Sequence, residues 1–127
     1  MSNSEDIPPW LREQLARYEQ LQQNLQAILI QKQQLELESS EISKALEELK
    51  KTPETDQVYK SAGNLLVKAN RVDLEKDLDE KKELSATRSA VLVKQEQRLR
   101  EGVKELEAKI QDALKSRSSS PTPSSNA

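Results

Sequence analysis

The chain has 127 residues, 33% charged and 2% aromatic, a composition typical of long helices that need partner chains to bury an apolar seam. Cys and His are absent, which excludes disulfides, thiolate–imidazole zinc sites and the common acid–base and thiol catalysts, so we expect no enzyme activity, no cofactor and no bound metal. The chain has 20 basic and 22 acidic residues, which gives a formal net charge of −2. This balance disfavours a nucleic-acid partner.

Residues 1–7 form a polar lead-in that lacks the basic and apolar regions of a signal peptide. The sequence has no apolar run of the roughly 18 residues that span a membrane. We therefore expect a soluble, cytoplasmic protein with no membrane partner.

Residues 8–51 are predicted to form a first coiled-coil helix. Pro8 and Pro9 suit a first helical turn, and Pro53 biases Thr52 away from helix, so we expect the helix to end near Lys51. Apolar residues recur at alternating steps of three and four, which is the coiled-coil signal. Nine of the twelve seam positions are apolar. The seam comprises Leu11, Gln14, Tyr18, Leu21, Leu25, Ile28, Lys32, Leu35, Ser39, Ile42, Leu46 and Leu49.

Residues 52–70 are predicted to be a β-hairpin segment. Two short β-prone runs, 57–60 and 65–69, flank a turn that contains Gly63 and Asn64. Alternation places Leu65, Val67 and Ala69 on one face and Leu66 and Lys68 on the other. The alternative is an ordinary loop between two helices.

Residues 71–115 are predicted to form the second coiled-coil helix, capped by Asn70 and followed by a disordered Ser/Pro tail over 116–127. Its seam is mostly apolar from Leu92 to Ala113. Traced back, the same register gives three polar positions, which predict weak packing between about 80 and 90. These positions are Lys82, Ser85 and Ser89.

Two helices of similar length joined by 52–70 are expected to fold back antiparallel. A lone two-stranded hairpin is marginal in water, and its edges expose unpaired N–H and C=O groups. We therefore expect a mainly α fold, in which single hairpins of several chains assemble into a β-barrel body that bears the coiled coils. The assembly residues are Val58, Tyr59, Leu65, Leu66 and Val67. The alternative is a local mini-core beneath the helix ends.

Three segments carry a resemblance to a known family. The hairpin DQVYKSAGNLLVKAN, the opening IPPWLREQL and the run KQEQRLREGVKELEAKIQDAL resemble β-type subunits of archaeal prefoldin over about residues 7–114. The single hairpin points to the β type rather than the α type. The resemblance implies a hexamer of two α and four β subunits with six coiled-coil tentacles. It also implies ATP-independent capture of unfolded polypeptides and their transfer to a group II chaperonin. The polar seam at Lys82, Ser85 and Ser89 and the long tail depart from the family pattern.

The expected client-binding tip combines the start of the first helix with the end of the second. An exposed apolar patch there would hold non-native chains, and several tips on one body would strengthen weak contacts. Its residues are Ile7, Pro8, Pro9, Trp10, Leu11, Leu15, Ile110, Ala113 and Leu114. The alternative is that Trp10 and Leu15 simply close the end of the coiled coil.

Two other functions fit a coiled coil. One is a scaffold or tether that binds a folded partner, and the other is a helical arm that binds nucleic acid. The absence of a basic stripe argues against the second. Binding of unfolded chains, as opposed to one folded partner, distinguishes the chaperone from the scaffold.

Overall fold

The computed structural model describes residues 7–119. The elements are helix α1 (Pro9–Lys51), strands β1 (Val58–Ala62) and β2 (Leu65–Ala69), and helix α2 (Arg71–Ser119). The predicted mainly helical class with one two-stranded hairpin is confirmed. Within residues 7–119, neither helix has a stretch apolar enough to cross a membrane.

The ends of α1 follow from local chemistry. The amide of Arg12 donates to the carbonyl of Pro8 at 3.0 Å and so closes the first turn. At the other end, both the amide and the hydroxyl of Thr52 donate to the carbonyl of Glu48, at 3.0 and 2.7 Å. Pro53 follows and disfavours helical geometry at Thr52, so α1 ends at Lys51.

The hairpin is closed by the two-residue loop Gly63-Asn64, because Ala62 pairs with Leu65. Gly63 has a φ of +63°, and it is the only described residue with a positive φ. Glycine at the first loop position is what a type II′ turn requires, and this turn matches the twist of the strands. The antiparallel register then runs without a bulge to the pair Val58–Ala69.

Helix α2 is capped as predicted: the amide of Asp73 donates to Oδ1 of Asn70 at 3.1 Å. The helix continues to Ser119, so residues 116–119, which were predicted to be part of the disordered tail, are helical. The steps of three and four still hold up to Ala113, and no Pro or Gly occurs between Ala113 and Pro121 to stop the helix. The rest of the predicted tail, 120–127, lies outside the described residues, as does most of the lead-in.

The described chain divides into two compact units. The terminal unit comprises residues 7–29 and 94–119, and the hairpin unit comprises Ile30–Val93. In each unit a segment of α1 packs against a segment of α2. Buried apolar side chains of the terminal unit are Leu11, Leu25, Val103 and Leu106, and those of the hairpin unit are Leu35, Ile42, Leu46 and Leu49. All twelve predicted seam positions of α1 are buried or half-buried.

The seam of α2 departs from the prediction at one position. Lys82 is exposed, although the register places it in the seam, because an ammonium group without a partner is costly to bury. Ser85 is buried and Ser89 half-buried, so the polar stretch does face α1 at these two residues. From Leu92 to Ala113 the predicted seam residues are all buried or half-buried.

Candidate functional site

Arg71 fixes the base of the hairpin in the hairpin unit. Its Nη1 donates to the carbonyls of Thr52 and Pro53 at 2.6 and 3.2 Å, and its Nη2 donates to the carbonyl of Leu49. These carbonyls lie at and just beyond the end of α1, where the regular helical hydrogen bonds stop, although the amides of Thr52 and Asp56 also donate to the carbonyls of Leu49 and Pro53. A cation at this end also interacts favourably with the helix dipole. The first residue of α2 is thus hydrogen-bonded to the end of α1. These bonds fix the two points at which the hairpin joins the helices.

The hairpin leaves its apolar side chains exposed. Leu65 and Leu66 are 68% and 75% exposed, and Tyr59 is 52% exposed. Of the five predicted assembly residues, only Val58 is even half-buried. These exposures argue against the alternative of a local mini-core beneath the helix ends.

Hydrogen-bonding groups point outward along both edges of the hairpin. In a two-residue hairpin the pair that flanks the loop is hydrogen-bonded, and the bonded pairs then alternate with non-bonded ones. The register therefore directs the N–H groups of Tyr59 and Ser61 away from β2, and those of Leu66 and Lys68 away from β1. The sheet has two strands, so within residues 7–119 no third strand meets these groups. Both edges are suited to pairing with strands of another chain.

The two faces of the hairpin also differ in chemistry. Alternation places Leu65, Val67 and Ala69 on one face with Val58, Lys60 and Ala62 opposite them. The other face carries Leu66 and Lys68 with Ser61 and Tyr59 opposite. The first face is the more apolar, and each face has one lysine. Either face thus offers apolar surface to a partner, with a single charge that disfavours indiscriminate stacking.

The predicted tip residues come together at one end of the terminal unit. Gly102 packs beside Leu21, and the hydroxyl of Tyr18 donates to Oε2 of Glu107 at 3.0 Å. Position numbers on α1 fall as those on α2 rise, so the helix segments are antiparallel. This register brings the first turn of α1 beside the segment of α2 that contains Ile110 to Leu114.

Exposure divides the predicted tip into a surface and a core. Trp10 is 48% exposed, Leu15 39% and Leu114 50%. Pro8 and Pro9 are also exposed, whereas Ile7, Ile110 and Ala113 are half-buried. A large part of Trp10 and of Leu15 therefore stays accessible at the end of the coiled coil.

Leu11 requires a correction. The predicted client-binding tip contains this residue, but its side chain is only 2% exposed and belongs to the core of the terminal unit. The heptad pattern already placed Leu11 in the seam, and that assignment agrees with the structure. Leu11 therefore supports the exposed residues and offers no surface of its own.

Comparisons with known proteins agree on one family. A family model described as prefoldin subunit matches residues 12–117. A prefoldin subunit beta from Saccharolobus islandicus is 41% identical over 111 residues, 87% of this chain and 88% of the relative. A prefoldin subunit beta from Caldivirga maquilingensis is 43% identical over 109 residues, 86% of this chain and 90% of the relative. The crystal structure of the prefoldin beta subunit from Thermococcus strain KS-1 superposes with a TM-score of 0.77 at 42% identity, covering 85% of this chain and 95% of that chain.

Proposed function

Because this chain belongs to the prefoldin subunit family, which is a family of chaperones, we propose that it holds unfolded polypeptides without ATP as a β-type subunit. Prefoldin chains assemble with other prefoldin subunits, and the family assignment does not favour the alternative of a scaffold for a folded partner. The proposed assembly is a hexamer of two α-type and four β-type subunits in the cytoplasm.

The hairpin is the proposed site of assembly. Its two edges carry outward N–H groups, and Leu65 and Leu66 are exposed apolar side chains that an interface would bury. Strands of neighbouring subunits would satisfy the edges and bury the leucines in a shared β-barrel. Burial of apolar area contributes about 25 cal/mol per Å². Several hairpins that bury their leucines together therefore gain the stability that a single two-stranded hairpin lacks in water.

The observation that carries the holding function is the exposed apolar surface at the end of the terminal unit. Trp10 and Leu114 are each about half exposed, although both are large apolar side chains. Unfolded chains display scattered apolar groups, and a single tip would hold them weakly. Several tips on one body raise the effective concentration of binding sites, which strengthens retention without new contacts. Release then needs only a competing partner, which we propose to be a group II chaperonin.

The test uses a chemically denatured protein whose aggregation is followed by light scattering, with the chain mixed with an α-type prefoldin subunit and without ATP. We expect the native chain to suppress aggregation and the double variant Trp10→Ser, Leu114→Ser to lose most of this effect. The matched control is Leu37→Ser, which changes a more exposed leucine in the hairpin unit, at 64% exposure against 50% for Leu114. Native mass spectrometry must show the same assembly for all three proteins.

Two outcomes would contradict the proposal. Full suppression by the double variant would remove the tip as the client surface. Tight binding to one folded protein, together with no effect on denatured chains, would favour the scaffold instead.

A further inference from the structure

A pocket in the hairpin unit is lined mainly by small polar side chains. Five serines contribute to it: Ser39, Ser40 and Ser43 from α1, and Ser85 and Ser89 from α2. Two helices that pack through a seam normally fill this space with Leu or Ile. Serines are too short to do so, and a gap between the helices results.

Ser85 lies at the bottom of this gap. Its side chain is 3% exposed, and its Oγ has no hydrogen-bond partner in the protein. Buried hydroxyl groups in native proteins are almost always hydrogen-bonded, to protein or to ordered water. The hydroxyl group of Ser85 therefore indicates a ligand that is small and polar and that can donate and accept hydrogen bonds.

Solvent can reach this position from one side. Ser40, Glu36 and Ala86 line the mouth of the pocket and are exposed, whereas Ser39 and Ser89 farther in are half-buried. Each hydroxyl can donate one hydrogen bond and accept two. A water molecule beside Ser85 would thus have the two or more polar partners that a buried water needs.

We propose that the serine pocket binds ordered water and that this hydrated section is where the two helices of the hairpin unit separate first. The adjoining section is dry, because Ile42, Leu46 and Leu49 are all buried. Separation of the dry section exposes apolar surface to solvent, whereas separation at the serines exposes mainly hydroxyl groups that are already hydrated, with Leu35 as the buried apolar exception. The chaperone function does not require this property, so the two can fail independently.

The first test compares Ser85→Ala with Ser116→Ala in the full-length chain at equal protein concentration. Both changes replace Ser by Ala in α2, and Ser116 is exposed and lies outside the pocket, so it serves as the control. If water bridges Ser85, its removal loses those hydrogen bonds, and Ser85→Ala melts at a lower temperature than Ser116→Ala. If the hydroxyl is dry and unpartnered, Ser85→Ala melts higher than Ser116→Ala, which would overturn the hydrated pocket.

The second test measures amide hydrogen exchange of the full-length chain. We expect amides of 36–41 and 82–89 to exchange at least tenfold faster than those of 45–50 and 74–80. Ser39→Leu, which fills a seam position, should slow exchange in the serine section and raise the melting temperature. Equal protection of the two sections in the native chain would overturn the proposal that the helices separate there first.

Discussion

Gly102 of α2 packs directly against Leu21 of α1: a Cβ built on Gly102 would lie 3.6 Å from Cδ1 of Leu21, an ordinary contact distance. A methyl group at position 102 therefore fits without displacement of its neighbour. Because Gly in a helix interior costs roughly 1 kcal/mol relative to Ala, we expect Gly102→Ala to raise the free energy of unfolding by about that amount. Urea unfolding followed by circular dichroism measures the change. A loss of stability would show that the helices are closer than the structure indicates.

The same substitution at Gly63 should act in the opposite direction. An added Cβ there would meet no atom within 4 Å, so space is not limiting. The φ of +63° is the obstacle, and a residue with a Cβ in this conformation loses about 1–2 kcal/mol. We expect Gly63→Ala to destabilise the hairpin, seen as faster amide exchange in β1 and β2. Unchanged exchange would mean that the turn adopts another type.

Arg71→Ala should weaken the junction of the helices. The guanidinium donates to the carbonyls of Leu49, Thr52 and Pro53. Its removal takes away the donor of the Thr52 carbonyl and leaves the other two carbonyls with one backbone amide each. Hydrogen bonds to charged groups contribute about 1.5–3 kcal/mol each, but they are not additive and this site is partly exposed, so we expect a loss of about 2 kcal/mol. Arg88→Ala, at an exposed position of α2, is the control and should change stability by less than about 0.5 kcal/mol. Equal effects of the two variants would disprove this role of Arg71.

Gln14→Leu should stabilise the terminal unit. Oε1 of Gln14 is buried at a seam position and has no hydrogen-bond partner. Replacement by an apolar side chain of similar size removes this unsatisfied group, and we expect a gain of about 1–2 kcal/mol in urea unfolding. Gln33→Leu, at an exposed position of α1, should give no such gain. A destabilised Gln14→Leu variant would indicate that the amide is hydrated in solution.

Proline substitutions separate the hairpin's own pairing from assembly. The N–H of Val67 points toward Lys60 within the hairpin, whereas that of Tyr59 points away from β2. Val67→Pro should therefore break the hairpin itself, whereas Tyr59→Pro should leave the pairing within the hairpin intact and remove an outward donor together with the exposed Tyr side chain. Native mass spectrometry with an α-type subunit should show impaired assembly for both variants. Amide exchange of the isolated chain should differ only for Val67→Pro. Normal assembly of both variants would contradict the proposed barrel.

The fluorescence of Trp10 reports directly on the tip, because the chain contains a single Trp. Its side chain is 48% exposed, and burial against an apolar segment should shift its emission to shorter wavelength. We expect this shift when the assembled protein meets a denatured polypeptide that lacks Trp, and no shift with the same polypeptide folded. An unchanged spectrum during effective suppression of aggregation would place client binding elsewhere.

Local periodicity was sufficient to predict most of the fold. The steps of three and four identified every seam position of α1, and Gly63 and Asn70 identified the turn and the cap. The prediction that Lys82 lies in the seam was wrong because periodicity takes no account of the solvation of an ammonium group. The prediction that Leu11 is a contact residue was wrong because proximity to a helix end does not decide burial. The role of Arg71 depends on two chain segments that meet only in the folded state. A cation in the first turn of a helix, where the dipole disfavours it, was the available signal. The tip and the assembly hairpin stay predictions.

The bare edges of the hairpin have a consequence for the cell. A copy that has not met its partners displays N–H and C=O groups to any extended segment, and Lys60 and Lys68 are the only charges on the two strands that oppose such encounters. Overproduction of this chain relative to its partners should therefore lead to aggregates of its own. Matched synthesis of the subunits, or rapid degradation of the surplus, would be the safeguard.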